Sequence, residues 1–125
     1  KLVKTEPESD ALISMLASWP DRVTVALAQV EVHRSLRHIG ASRAEHARAD
    51  AVLCGLVMLR IDDAIIGRAA ALKDRNLRTL DAIHLAAALT LGDGPAAFIT
   101  YDARLARAAE RERLHVQHPG ATRLH

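Results

Sequence analysis

Short apolar runs alternate with longer helical stretches along this chain, and that alternation restricts its fold more than any other feature. Val23-Thr-Val25, Leu56-Val-Met-Leu-Arg-Ile61, Ala96-Ala-Phe-Ile-Thr100 and Leu114-His-Val116 are the apolar runs, each short and rich in side chains that fit a strand. Between them, apolar residues recur at helical spacing from about Ala26 to His38, Ser42 to Cys54, Asp62 or Asp63 to Lys73, Thr79 to Leu91, and Thr100 or Asp102 to Arg113. Strands joined through helices pair in parallel, and a parallel sheet needs helices on its faces. The expected class is α/β: one domain over residues 1–125, three-layer α/β/α, with a central parallel sheet.

Local signals punctuate the pattern. Glu6-Pro7-Glu8 opens a first helix with an apolar stripe of Leu12, Ile13, Leu16 and Ala17, and Trp19-Pro20-Asp21 stops it. Ser42 followed by Glu45 is a capping box. Thr79 can cap the helix that carries Asp81, Gly92-Asp-Gly-Pro95 is a break, and His118-Pro-Gly-Ala-Thr reads as a tail. Alanine and leucine dominate the apolar set, with one Phe, one Tyr and one Trp, so the interior must come from aliphatic side chains on closely packed helices. Cys54 is the only cysteine, which excludes an internal disulfide, and its apolar neighbours predict a buried thiol. No run approaches the roughly 20 apolar residues of a membrane span, and no signal segment opens the chain, so a cytoplasmic setting is expected. The net charge of +2 permits a nucleic-acid partner without arguing for one.

The chemistry lies in three acidic residues. Asp81 stands among Leu80, Ala82, Ile83 and Leu85 in the first turn of its helix. A carboxylate there can simply answer free amides, but Thr79 offers a better-placed cap. Asp102 directly follows a strand in Phe98-Ile-Thr100-Tyr-Asp102, where Thr100 could hydrogen-bond a carboxylate or phosphate oxygen, although the same segment is also a good capping sequence. Glu31 interrupts Val30 and Val32 one turn into a helix, and could instead pair with Arg34 or Ser35. In parallel sheets ligands bind beyond the carboxyl ends of the strands, so the three could converge there, and repulsion between them would be offset by a divalent metal. His84, one turn after Asp81, lacks the further His or Cys ligands that zinc requires and reads as a packed histidine. His33, His38 and His46 read as solvated. Among the fourteen arginines, Arg34, Arg78 and Arg104 are candidate phosphate contacts, individually no stronger than ordinary surface arginines. Nucleophile-elbow, P-loop and dinucleotide-binding motifs are absent.

Leu77-Arg-Thr-Leu-Asp-Ala-Ile-His-Leu-Ala, then Phe-Ile-Thr-Tyr-Asp-Ala-Arg-Leu, with Ala28-Gln-Val-Glu31-Val upstream and Leu2-Val-Lys-Thr-Glu-Pro-Glu-Ser9 ahead of it, resemble the PIN-domain ribonucleases of the VapC toxin group. The resemblance covers essentially the whole chain. It implies a PIN-like domain whose acidic residues bind Mg²⁺ or Mn²⁺ and hydrolyse RNA. Glu31, Asp81 and Asp102 match three of the family's four acidic positions, and Thr100 matches the hydroxyl beside the last. It further implies a homodimer and a VapB-like antitoxin, in a possible hetero-oligomer, docked on the helical hairpin from Glu6 through Leu53. The fourth acidic residue belongs to a first strand leading into Lys1-Leu-Val-Lys4. This sequence lacks that strand, so residues 1–125 are expected to bind metal poorly and cut little or no RNA. Two other readings compete: a non-catalytic PIN-like interaction module, and a haloacid-type phosphohydrolase, which needs a nucleophilic Asp on a first strand.

Overall fold

The computed structural model describes residues 1–3 and 6–125. Lys4 and Thr5, within the segment expected to follow a first strand, lie outside the described residues. Cα packing divides the chain into two compact units, residues 1–60 and 61–125.

The first unit holds α1 (Ser9–Ala17), β1 (Val23–Val25), α2 (Ala28–His38), α3 (Arg43–Cys54) and β2 (Val57–Leu59). The α2–α3 hairpin is the crossover between two parallel strands, whose register pairs Val23 with Val57, Thr24 with Met58 and Val25 with Leu59. Leu12, Val25, Leu36, Ala49 and Leu53 are its buried apolar residues, with Val25 only 1% exposed. The hairpin turn is specified locally. Gly40 has φ +67°, Ala41 N–H donates to Leu36 O at 2.9 Å, and Gly40 N–H donates to Arg37 O at 3.1 Å, which together close α2 in a Schellman motif. Two residues later Ser42 accepts from Glu45 N–H at 3.2 Å while the Glu45 carboxylate accepts from Ser42 N–H at 2.8 Å, so the expected capping box is present in both directions.

The second unit holds α4 (Asp63–Ala70), α5 (Thr79–Thr90), β3 (Phe98–Ile99), α6 (Ala103–Arg111) and β4 (Val116–Gln117). β3 and β4 pair in parallel, Phe98 with Val116 and Ile99 with Gln117. Leu85 on α5 meets Leu105, Ala108 and Ala109 on α6, and Leu72, Leu77, Leu89, Phe98, Leu114 and Val116 pack around them. Alanine at 108 and 109 lets helix backbones approach closely, as the composition required. Helices joined to parallel strands place the chain in the expected α/β class, with the described strand pairs falling into one two-stranded ladder in each unit.

Several boundaries differ from expectation. Asp62 caps α4 through a 2.9 Å bond from Ile65 N–H, but that helix ends at Ala70 rather than running to Lys73. Thr79 is the first residue of α5 and not its cap; Arg78 occupies the cap position and makes no side-chain cap bond. The last strand starts at Val116, because Leu114 is used to close α6: Leu114 N–H donates to Ala109 O at 3.0 Å and Arg113 N–H to Glu110 O at 2.9 Å. Cys54 is exposed, not buried. One residue along a helix turns the side chain by about 100°, and it is the preceding Leu53 that enters the core.

Arg113 carries the left-handed residue of that second Schellman motif at φ +65°. A side chain costs about 1–2 kcal/mol in this conformation, partly offset by glycine's freer unfolded state. Arg113→Gly should therefore raise stability by roughly 0.5–1 kcal/mol in urea denaturation; a loss of stability would mean that the arginine side chain itself holds the turn.

Candidate active site

β3 delivers the chain into a tight turn at Thr100-Tyr101-Asp102 before α6 begins. Thr100 is 8% exposed, and its Oγ1 accepts the Asp102 N–H at 3.1 Å. Asp102 is the N-cap of α6: its Oδ1 accepts from Arg104 N–H at 2.8 Å and from Leu105 N–H at 2.9 Å. Both bonds fall on one oxygen, which leaves Oδ2 to a further partner. The hydroxyl hydrogen of Thr100 likewise remains to donate after Oγ1 has accepted the amide. The sequence allowed Thr100 or Asp102 as cap, and the geometry divides the roles: Asp102 caps, and Thr100 fixes the residue that caps.

Asp81 is the third residue of α5 and is half-buried. It precedes the fully buried Leu85 by one turn and so shares the face that enters the core. At that place the amide dipoles of the first turn favour a carboxylate. With Thr79 inside the helix, the argument that a better cap relieves Asp81 of a capping part no longer holds.

Glu31 lies in the first unit, half-buried in the first turn of α2. Arg34, Arg78 and Arg104 are all exposed. Among the described residues, no group of three or more His, Cys, Asp or Glu side chains stands close enough to hold a metal ion. The donors are nonetheless all hard oxygens, and Mg²⁺ commonly takes one or two protein carboxylates and fills its remaining positions with water. The chemistry of Asp81, Asp102, Thr100 and Glu31 therefore suits Mg²⁺ or Mn²⁺ and not zinc.

A second polar constellation was not anticipated. His33 and His46, expected to be solvated, meet across the α2–α3 hairpin with Nδ1 to Nδ1 at 2.8 Å, and His33 Nε2 lies 2.7 Å from Asp50 Oδ1. The ring planes are 4° apart and the centroids 5.1 Å apart. That separation equals the nitrogen–nitrogen distance plus two ring radii, so the rings are coplanar and joined edge to edge. The Nε2–H of His33 donates to the Asp50 carboxylate, and one of the two Nδ1 atoms donates to the other. Both nitrogens of His33 are then occupied, which removes it as a metal ligand. The pair lies beside a cleft of about 460 Å³ lined by Gln29, His33, Asp50, Cys54 and their apolar neighbours. The i, i+4, i+8 spacing of His46, Asp50 and Cys54 was the available signal; the missing knowledge was the partner helix.

A family model described as PIN domain matches residues 1–111. Ribonuclease VapC46 of Mycobacterium tuberculosis (strain ATCC 25618 / H37Rv) is 44% identical, over 88% of this chain and 83% of its own length. Ribonuclease VapC35 of the same strain is 41% identical over 98% of this chain and 93% of its own. Ribonuclease VapC47 of strain CDC 1551 / Oshkosh is 35% identical over the same shares, 98% and 93%. No solved structure matches the chain significantly.

The capping geometry can be tested apart from any activity. Asp102→Ala strands the Arg104 and Leu105 amides and should cost about 1–2 kcal/mol, while Asp102→Asn keeps an acceptor and should cost much less. Equal losses in urea denaturation would show that the charge, and not the cap, supplies the stability.

Proposed function

The chain belongs to the PIN-domain family, in its VapC group, and from that premise we propose that it is a ribonuclease toxin: a divalent-metal-dependent endoribonuclease neutralised by a cognate VapB-like antitoxin. The observation that carries the reading is the strand-end turn at Thr100–Asp102. There the carboxylate is fixed through Oδ1 and neither cap bond uses Oδ2, in a chain whose named relatives are ribonucleases.

When bound, Mg²⁺ or Mn²⁺ would supply a water of lowered pKa and neutralise charge on the phosphoryl oxygens. Asp81 and Asp102 are the residues to hold it, with Glu31 as the third acidic group. By the family resemblance, Glu31 would hold a metal-bound water and assist its deprotonation. Thr100 keeps Asp102 in place through its amide and has a hydroxyl hydrogen to offer a carboxylate or phosphate oxygen. Arg34, Arg78 and Arg104 would contact RNA phosphates, for which their forked guanidinium suits them. A homodimer and an antitoxin complex follow from the same reading.

In a form carrying the family's first strand, Asp81→Asn should abolish Mg²⁺-dependent cleavage of RNA while circular dichroism stays unchanged; retained cleavage would remove Asp81 from the mechanism. Residues 1–125 should also bind Mn²⁺ more weakly than a form carrying the family's first strand with its aspartate. Equal affinities in calorimetric titration would show that the acidic groups of this sequence suffice.

A second reading has an observation of its own. Asp102 already serves as a helix cap, and no three-residue metal group assembles among the described residues, which is what a non-catalytic PIN-like interaction module would show. Tight Mn²⁺ binding that is lost on Asp81→Asn is inconsistent with that alternative.

A further inference from the structure

The segment after β4, expected to be a plain tail, is an ordered return. His118-Pro119-Gly120-Ala121 closes a β-turn through Ala121 N–H to His118 O at 3.1 Å, with Gly120 at φ +77°. Pro at the second position and a positive-φ Gly at the third are what a type II turn needs. The chain then comes back beside the turn that carries Asp102. His125 N–H donates to Tyr101 O at 3.0 Å, and Ala103 N–H donates to His125 O at 2.8 Å. One bond to the residue before Asp102 and one from the residue after it form the pattern of a parallel bridge centred on Asp102. Tyr101 adds a third tie, its hydroxyl donating to Pro119 O at 2.9 Å.

The consequence lies in how the first amides of α6 are satisfied. A helix start leaves four N–H groups without intrahelical acceptors. Here Arg104 and Leu105 go to Asp102 Oδ1, whereas Ala103 goes to the backbone oxygen of His125. Were that oxygen removed, the Ala103 amide would be stranded beside the Asp102 carboxylate. Asp102 would then be drawn towards the backbone, at the expense of the oxygen it now keeps back.

We propose that residues 118–125 act as a positioning strap for Asp102: by taking the Ala103 amide and bracing Tyr101, they hold the carboxylate with Oδ1 on the helix and Oδ2 available to a divalent cation. The functional half of this inference rests on the ribonuclease reading; the structural half does not. His125 and Tyr101 are positioning residues, acting through Asp102.

The test compares His125→Pro, which deletes the N–H that bonds Tyr101 O, with His125→Ala, which keeps it, and adds Tyr101→Phe, which removes the hydroxyl that bonds Pro119 O. Amide hydrogen exchange is read first, on metal-free protein. His125→Pro and Tyr101→Phe should each speed exchange at Ala103, Arg104 and Leu105 by roughly three- to tenfold, the range set by the net worth of one hydrogen bond. Amides near Leu85 in mid-α5 should be unaffected, and His125→Ala should behave as the parent. Mn²⁺ titration of the same variants in a form carrying the family's first strand should then show affinity reduced by a similar factor in the two bond-deleting variants, with the cleavage rate at saturating Mn²⁺ near that of the parent form. Unchanged exchange at 103–105, or an Ala variant that matches the Pro variant, overturns the strap. Faster exchange with unchanged Mn²⁺ affinity overturns its positioning role. Mn²⁺ binding and cleavage that survive Asp102→Asn would instead sink the ribonuclease assignment of Asp102, while the exchange result would still report the bridge.

Discussion

Leu85 on α5 packs against Leu105, Ala108 and Ala109 on α6, and the second unit depends on that contact. With one Phe, one Tyr and one Trp in the whole chain, few rings can fill space between elements, and at this cluster Phe98 supplies one. Most burial must come instead from aliphatic side chains brought close by alanine. Leu85 is 1% exposed and Ala109 0%, so a methylene lost there leaves a cavity that the small neighbours cannot refill. The same packing fixes where the two helices begin. Asp81 lies one turn before Leu85, and Asp102 three residues before Leu105, so each carboxylate is anchored by the core residue nearest to it in sequence.

Asp102 shows how one residue can answer structural and chemical demands together. As an N-cap it satisfies two amides with a single oxygen, a contribution of about 1 kcal/mol. A carboxylate has acceptor capacity left after two such bonds. Thr100, nearly buried, holds the Asp102 amide, and the returning chain brackets the same residue on both sides. Capping and ligation are therefore compatible at this position, and the presence of the cap does not decide against a metal site.

Much of the fold was readable where the signal was local. The capping box at Ser42 and Glu45, the strand Val23–Val25, the cap at Asp62 and the strand–turn–helix around Asp102 all depend on residues within a few positions of one another. Reading failed where two local signals competed within the same few residues. Leu114 has strand character, yet it closes α6 because Arg113 adopts the left-handed conformation. Cys54 sits in an apolar run, but the helix turns it outward while Leu53 takes the core. For the candidate site, sequence located the half-buried carboxylates and the Thr100–Asp102 turn, whereas the chemical part each plays rests on the family and on the experiments above.

The sequence by itself determined the α/β alternation, the capping box at Ser42 and Glu45, and the order in which Glu31, Asp81, Thr100 and Asp102 occur. These follow from backbone preference and from hydrogen bonds that span a single turn. Only the tertiary structure decided that His33 meets His46 and Asp50 across a hairpin, and that His125 returns to bridge Tyr101 and Ala103. Both join residues 13 to 24 positions apart, where loop closure and the path of the intervening chain, and not the preference of any residue, fix which groups come within bonding distance.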